Sequence, residues 1–207
     1  MATYHLNAPF DAGDIRKLRV GDLVYVSGKA FTCRSRLHRW VFDEGNPAPQ
    51  AAMERDLLIH AGPIVLREDG RFRLVSFMPT SSIRFEKWGA RSVREWELRM
   101  IIGKTTMGRK TMEQMKVLGC VHVSPQGVSP NLWADSIRVT GVELYDELGA
   151  IEATWQLELD NLGPFVVDID TRGENLFEKM DEAVAGNQKA AYEFLGIPEG
   201  FEYTKLY

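Results

Sequence analysis

The stretch PTSSIR, residues 79–84, places three hydroxyl residues directly before an apolar residue and an arginine. Hydroxyl groups at the start of a helix can cap it and leave its first N–H groups open to an anion. An arginine one turn later adds a two-pronged donor that matches a carboxylate. The stretch therefore predicts a carboxylate site made by hydroxyls, backbone amides and Arg84. The alternative, an ordinary helix cap beside an exposed arginine, stays open at this point.

A second cationic cluster is CRSRLHR, residues 33–39, at the end of a predicted strand and the start of a predicted helix. Ligands of α/β proteins bind at the carboxyl ends of strands, and three arginines so close together repel each other unless an acidic group faces them. The alternative is a solvated basic face. His38 could be a helix-face histidine with no role, and we interpret Cys33 as a small buried apolar residue.

A third junction is IIGKTTMG, residues 101–108, where an apolar strand ends in Gly-Lys. Lys104 could reach a carboxylate or phosphate as a point charge, or it could be an exposed lysine in a plain turn. Each junction alone is a weak signal. If the three converge, their cationic and hydroxyl groups would form a site for a dianion.

Two further features carry less weight. Gly62, in the His-Ala-Gly-Pro stretch after another apolar run, could allow close approach of a backbone or side chain. Asp168 and Asp170 lie two residues apart on a predicted strand and could do acid–base work. Because a Thr-Arg-Gly turn follows them, we favour a structural role for this pair.

Composition narrows the classes of function. The 207 residues are 44% hydrophobic and carry a formal net charge of −4, so nucleic acid is not an expected partner. No apolar run approaches the roughly 20 residues that span a membrane, and MATYHLNAPF does not read as a signal peptide. The chain has two cysteines without a CxxC pair, which predicts a reduced, cytoplasmic protein. Two cysteines also cannot supply the thiolates that an iron–sulfur cluster usually needs, and we expect no metal bound by this chain alone.

The elements that must position these residues follow from periodicity. Alternating or continuous apolar runs predict strands over 19–33, 57–65, 71–77, 120–123, 138–148, 153–162 and 163–173. Helical spacing predicts helices over 34–44, 108–119 and 131–137, and two short ones over 175–184 and 187–196. Residues 94–104 run from a helix into a strand, and 197–207 should be extended. We predict one α/β domain with a mixed sheet over 1–176 and a helical and extended tail over 177–207. GxGxxG and P-loop patterns are absent, so nucleotide binding by those loops is not supported.

Taken together, SGKAFTCRSRLHR, HAGPIV, MPTSSIRFEKW, IIGKTTMG and GPFVVDIDTRGENL resemble the β subunit, or fused C-terminal domain, of the class I iron–sulfur hydro-lyases. That family includes class I fumarase and L(+)-tartrate dehydratase. The resemblance runs from about Ile15 to Leu176 in matching order. TCR, AGPIV and GPFVVDIDTRGENL look closer to the tartrate dehydratase branch.

The resemblance implies a swivelling β/β/α domain and a hydro-lyase (carbon–oxygen lyase) that is active only with an α subunit. That α subunit would hold a [4Fe-4S] cluster whose open iron acts as a Lewis acid on the substrate hydroxyl. The expected assembly is a heterotetramer, and the expected substrate is a small hydroxy-dicarboxylate.

Matched residue by residue, the resemblance implies a catalytic, proton-transferring role for Thr80. It implies a substrate clamp made of four residues, namely Arg34, Ser81, Arg84 and Lys104. The residues by themselves predict the clamp but would not nominate Thr80 as a base, because a free hydroxyl is a poor base at neutral pH.

The sequence departs from the family pattern at several positions. The paired threonines are Thr80 and Ser81, Ser35 stands where an acidic residue is usual, and Phe85 replaces a methionine. The family's Gly-Lys-Gly-Gly reads Gly-Lys-Thr-Thr at 103–106, and the loss of two glycines restricts that loop. These departures leave the substrate open among malate or fumarate, tartrate and related acids.

Two other functions remain. One is a non-catalytic dicarboxylate-binding or regulatory domain that kept the clamp and lost its cluster-bearing partner. The other is a purely structural interaction module, which the matching cationic and hydroxyl residues disfavour.

Overall fold

The computed structural model describes residues 1–127, 129–198, 200–202 and 204. Within these residues the strands are β1 (Thr3–Ala8), β2 (Leu23–Thr32), β3 (Leu57–Ile59), β4 (Ile64–Glu68), β5 (Arg71–Ser76), β6 (Met100–Ile102), β7 (Val121–Pro125), β8 (Ile137–Glu143) and β9 (Thr154–Ile169). The α-helices are α1 (Ala12–Lys17), α2 (Ser35–Phe42), α3 (Gln50–Glu54), α4 (Glu86–Glu95), α5 (Arg109–Leu118), α6 (Tyr145–Leu148) and α7 (Leu176–Phe194). Short 3₁₀ turns lie at Ser82–Phe85 and Ala134–Ser136.

Seven strands form one sheet in the order β1-β2-β3-β6-β7-β9-β8, and β4 pairs with β5 in a separate hairpin. Because β2 also pairs with β9, the strands β2, β3, β6, β7 and β9 close into a barrel. Strands β1, β2, β3, β6 and β7 are parallel, whereas β9 runs antiparallel to β2, β7 and β8. The predicted α/β class with a mixed sheet is confirmed.

The parallel strands place their carboxyl ends along one edge of the barrel. We call the residues that follow β2, β3 and β6 at this edge the carboxyl edge, namely 33–34, 60–62 and 103–104. The three junctions singled out by their chemistry therefore share a side of the molecule because the strands that carry them share a direction.

Alternation along the strands divides the core in two. Leu57 and Ile59 belong to the cluster on the side away from α2, α4 and α5, whereas Leu58 packs with those helices. In β6 the same parity places Met100 on the first side and Ile101 on the second. Side chains of successive strand residues point to opposite faces, so both faces of these short strands are covered and their apolar runs are nearly continuous.

Several predicted boundaries were wrong. The run 57–65 is not one strand, because pairing with β6 stops at Ile59 and Pro63 cannot donate to a ladder. Residues 131–137 do not form the predicted helix, because 131–133 are a turn, Ala134–Ser136 a 3₁₀ turn, and β8 begins at Ile137. Buried Trp133 packs there on Phe165, and its Nε1–H donates to the Gly163 carbonyl over 3.2 Å. The strand predicted over 138–148 ends at Glu143.

In two places, a pair of elements predicted as separate is one continuous element in the structure. The strands over 153–162 and 163–173 are continuous in β9, and the two short helices of the tail are one helix, α7, with Gly186 in its interior. No buried residue belongs to α7 in the described part of the chain. The domain boundary at 176 stays a prediction. Part of the extended segment predicted over 197–207, namely 199, 203 and 205–207, lies outside the described residues.

None of the helices in the described residues is both long and apolar enough to cross a membrane.

Candidate functional site

The segment 79–82 lies across the carboxyl edge as an extra strand-like piece. The Thr80 N–H donates to the His60 carbonyl (2.6 Å), and the Lys104 N–H donates to the Thr80 carbonyl (2.9 Å). The Ser82 N–H donates to the Lys104 carbonyl (2.8 Å), and Ala61 pairs with Pro79. The ends of β3 and β6 therefore hold Thr80, Ser81 and Lys104 next to one another, which brings together two of the three predicted junctions.

Arg34 joins this edge from the end of β2. Its Nη1 atom lies 2.8 Å from the position that a Cβ on Gly62 would occupy, so the guanidinium rests against the glycine. A side chain at position 62 would also overlap the Ile151 carbonyl. The predicted close approach at Gly62 is thus observed, and it places Arg34 beside the turn that bonds to Thr80.

The acidic group that the arginine cluster requires is Glu152. Arg34 Nε lies 3.5 Å from Glu152 Oε1 in an ion pair between half-buried side chains, and the Arg36 N–H donates to Glu152 Oε2 over 2.8 Å. The buried Arg34 Nε atom nevertheless has no hydrogen-bond partner among the described residues. Because this Nε atom is buried, only the Nη groups of Arg34 could reach a ligand carboxylate.

Four of the predicted site residues have side chains available to a ligand. Across residues 1–127, 129–198, 200–202 and 204, no side-chain hydrogen bond or ion pair to another residue involves Thr80, Ser81, Arg84 or Lys104. Arg84 and Lys104 are exposed. The structure places Arg84 in the 3₁₀ turn that follows Ser81, with its N–H directed at the Ser81 carbonyl over 3.4 Å.

The predicted helix cap made by hydroxyls is wrong. Ser81 makes no side-chain capping bond, and α4 begins at Glu86, after the 3₁₀ turn. The Ser82 N–H is not open to an anion, because the Lys104 carbonyl accepts it. Any ligand in this region therefore depends on side chains more than on helix N–H groups.

The altered lysine loop keeps a conformation that suits glycine. Thr105, in the stretch where the resemblance implies a glycine, has a φ of 62°, in the left-handed region. This region is costly for a β-branched residue. The Thr105 hydroxyl donates to the Lys104 carbonyl over 2.5 Å, so the loop has a local hydrogen bond that a glycine would lack.

A buried hydrogen-bonded chain lies beneath the segment 79–82, and we call its four members the Ser82 network. Ser82 Oγ lies 2.8 Å from His60 Nδ1 and 2.8 Å from His122 Nε2. His122 Nδ1 lies 2.7 and 2.8 Å from the two carboxylate oxygens of Asp168. The exposure of each of the four residues is 1% or less.

Sequence reasoning missed most of this network. No local feature of the sequence distinguishes Ser82 from its two hydroxyl neighbours, and His122 is predicted only as part of the strand over 120–123. For Asp168 the favoured structural role fits its place as the acceptor for His122. The available signal was a polar residue inside an apolar strand, since a buried histidine must find hydrogen-bond partners.

His38 and Cys33 lie in the core and not at the ligand side of the edge. His38 is surrounded by Phe42, Phe85, Trp88 and Trp96, and burial lowers its pKa to about 3. Burial also raises the pKa of the Cys33 thiol well above its usual value. A neutral imidazole and a protonated thiol support the interpretation of both residues as packing groups.

The two cysteines are not arranged as a pair of cluster ligands. Both cysteines, Cys33 and Cys120, are free and buried. Cys33 follows the carboxyl end of β2, whereas Cys120 precedes the amino end of β7. In the described part of the chain no group of three or more His, Cys, Asp and Glu side chains could hold a metal ion.

A groove of about 850 Å³ lies elsewhere, between the β4–β5 hairpin and β8. Its lining includes Arg71, Phe72 and Arg138 but none of the predicted site residues. The candidate site is instead an open surface at the carboxyl edge.

The family model that describes the fumarase C-terminus matches residues 2–180 of this chain. The match covers the whole barrel, the carboxyl edge and the Ser82 network.

Curated relatives agree with that match. The chain is 32% identical over 200 residues to the L(+)-tartrate dehydratase subunit β of Escherichia coli strain K12, covering 97% of this chain and 98% of the relative. A Methanocaldococcus jannaschii protein provisionally named L(+)-tartrate dehydratase subunit β is 32% identical over 174 residues, covering 83% of this chain and 89% of the relative. A Geobacillus stearothermophilus protein provisionally named class I fumarate hydratase is 32% identical over 180 residues, covering 86% of this chain but 34% of the relative.

Gly103→Ala should destabilise the fold. A Cβ on Gly103 would overlap Ser82 Oγ and lie 3.2 Å from His122 Nε2, and overpacking of this kind costs about 1–3 kcal/mol. The matched control is Gly186→Ala in α7, where a Cβ meets nothing within 4 Å and alanine should stabilise by about 0.5–1 kcal/mol. Urea unfolding measures both free energies. Equal stability of the two variants would contradict the close contact of Gly103 with Ser82.

Folding stability should fall as the pH decreases below about 6.5, the unfolded pKa of histidine. The folded chain keeps His38 neutral down to a pKa of about 3, and burial holds the pKa of His60 well below its usual value. The unfolded state therefore binds more protons in this window, and each such histidine lowers the free energy of unfolding by about 1.4 kcal/mol per pH unit.

His38→Phe should flatten the dependence of the unfolding free energy on pH between 6 and 4. The slope should decrease by roughly the contribution of one bound proton. A slope in this variant equal to that of the wild type would contradict the lowered pKa of His38.

Proposed function

The chain belongs to the fumarase C-terminus family, and from that premise we propose that it is the β subunit of a [4Fe-4S]-dependent hydro-lyase. The enzyme would reversibly dehydrate a small hydroxy-dicarboxylate. Relatives named as tartrate dehydratase β subunits align over nearly the full length of both chains, so L(+)-tartrate is the substrate to test before malate.

The observation that carries the proposal is the assembly of the clamp residues at the carboxyl edge. Thr80, Ser81 and Lys104 are tied together through backbone hydrogen bonds, and Arg34 rests against the neighbouring Gly62. A dicarboxylate carries two negative charges, and Arg34, Arg84 and Lys104 supply three positive ones beside two hydroxyl donors. Charge-assisted hydrogen bonds of this type are the strong ones in carboxylate recognition.

Each residue has a distinct task in the proposal. Arg84 and Lys104, which are exposed, bind one substrate carboxylate, and Arg34 and Ser81 orient the other. Thr80 Oγ takes the proton from the substrate carbon. Because a threonine hydroxyl is a weak base, Thr80 needs neighbouring cations to stabilise its deprotonated form. Lys104, whose backbone N–H donates to the Thr80 carbonyl, is the cation we propose for this role.

The cluster belongs to a partner α subunit in this proposal. Two buried cysteines do not fit the three or four thiolates that a cluster takes, so the chain needs a partner to supply it. When bound there, the cluster would act as a Lewis acid that makes the substrate hydroxyl a better leaving group. The α subunit would cover the open carboxyl edge, in a heterotetramer, and the free buried thiols support a cytoplasmic location.

If the chain is this β subunit, an α subunit should co-purify with it, and the clamp residues should affect substrate binding. Anaerobic affinity purification of this chain from its host should yield an iron-containing α subunit and dehydratase activity on L(+)-tartrate. In that complex Arg84→Ala or Lys104→Ala should raise KM for the dicarboxylate by about 10-fold or more, because each removes a hydrogen bond between charged groups. The control is Lys189→Ala, whose side chain is 87% exposed on α7.

One result would contradict the clamp and another the hydro-lyase function. Unchanged kinetics for both clamp variants would remove the site assignment. A chain that purifies without a partner or iron, yet binds tartrate or malate in calorimetry, would favour the non-catalytic dicarboxylate-binding domain.

A further inference from the structure

The Ser82 network contains the atoms of a serine–histidine–aspartate triad. Ser82 Oγ, the His122 ring and Asp168 have the spacing of such a triad, with 2.8 Å to Nε2 and 2.7 Å from Nδ1. The serine cannot act as a nucleophile, however. It is fully buried, its hydroxyl also contacts His60, and Gly103 leaves no space beside Oγ.

One arrangement of hydrogens satisfies the donors and acceptors of the network if Asp168 is a carboxylate and each imidazole carries one hydrogen. A carboxylate only accepts, so His122 Nδ1 carries a hydrogen toward Asp168. In this arrangement Nε2 of His122 is bare and accepts the Ser82 hydroxyl. Ser82 Oγ can then only accept from His60, which places a hydrogen on His60 Nδ1. The bonds run in one direction, from His60 through Ser82 and His122 to Asp168.

The backbone of Ser82 links this network to the candidate site. Its N–H donates to the Lys104 carbonyl, while the Lys104 N–H donates to Thr80 two residues earlier. His60 contacts the segment through both its side chain and its backbone. Its ring forms a hydrogen bond with the Ser82 hydroxyl, and its carbonyl accepts the Thr80 N–H. One side chain therefore anchors the segment that carries both hydroxyls of the site.

We propose that Ser82 is a positioning residue whose hydroxyl, fixed between His60 and His122, holds Thr80 and Ser81 in place for substrate. The catalytic part of this inference rests on the proposed hydro-lyase function, but the positioning part does not. Burial and the nearby His38 and His122 keep His60 neutral by lowering its pKa, so Ser82 selects which ring nitrogen of His60 carries the hydrogen. The groups that face His60 are Ser82, His38, His122 and the Phe85 ring.

The first test needs no activity. Two-bond ¹H–¹⁵N spectra of the full chain, labelled at its four histidines, should show hydrogen on Nδ1 of both His60 and His122. In Ser82→Ala the His60 pattern should change to hydrogen on Nε2, because Nδ1 loses its acceptor. A wild-type His60 with hydrogen on Nε2, or a pattern unaffected by Ser82→Ala, would overturn the assignment.

Amide hydrogen exchange measures the positioning itself. In Ser82→Ala the Thr80 and Lys104 amides should exchange at least about tenfold faster, since local opening becomes easier when a buried anchor is lost. The matched control is Ser92→Ala, a buried serine of α4 whose hydroxyl donates to the Trp88 carbonyl. It should change these two exchange rates by less than about twofold. Equal rates in the two variants would contradict the positioning role.

Kinetics of the assembled enzyme address the catalytic part. Ser82→Ala should lower kcat at least about tenfold while KM changes less than about threefold, because Arg84 and Lys104 still bind the carboxylates but Thr80 is misplaced. A rise in KM alone would overturn it. If the assembled wild type dehydrates no hydroxy-dicarboxylate, the hydro-lyase function fails, whereas the spectra and exchange rates still decide the positioning role.

Discussion

Three backbone hydrogen bonds between the segment 79–82 and the ends of β3 and β6 are the interactions on which the candidate site depends. They exist because β3 and β6 are parallel neighbours that end side by side, at Ile59 and Ile102. A strand end leaves backbone donors and acceptors without partners, and these must be satisfied where they are buried. The chain satisfies them with a segment rich in hydroxyls, so the requirement that completes the sheet also places Thr80 and Ser81 beside Lys104.

At the carboxyl edge one cation has an acidic partner and two others do not. Glu152 faces Arg34 at the end of β2, whereas within the described residues Arg84 and Lys104 have no acidic partner. In the proposed function, a dicarboxylate enclosed by a partner subunit would satisfy that surplus of positive charge, and the buried Ser82 network would hold the surface beneath it. The buried Ser82 network thus lies on one side of the segment 79–82, and the exposed Arg84 and Lys104 side chains are open to a ligand.

Local chemistry in the sequence was sufficient to find the junctions, the mixed α/β class and most strands, since apolar alternation and Gly-Lys or Pro-Thr turns mark them directly. It failed where a distant residue decided the outcome. The Ser82 N–H bonds to Lys104, which turned a predicted helix cap into a 3₁₀ turn. Likewise the Ser82 network joins residues 40 and 46 positions apart in the chain, and no local pattern indicates such a pairing. Trp133 shows the same limit, because its contact with Phe165 replaced a helix that the local periodicity favoured.

A crystal structure of the assembled enzyme with a bound hydroxy-dicarboxylate tests the central claim most directly. The account predicts one substrate carboxylate within hydrogen-bonding distance of the Arg84 and Lys104 side chains, and the Thr80 hydroxyl facing the substrate carbon that loses its proton. The cluster would lie across the carboxyl edge, on the partner chain. A dicarboxylate bound in the groove between the hairpin and β8, or one held by the partner subunit alone with Arg84 and Lys104 turned to solvent, would contradict it.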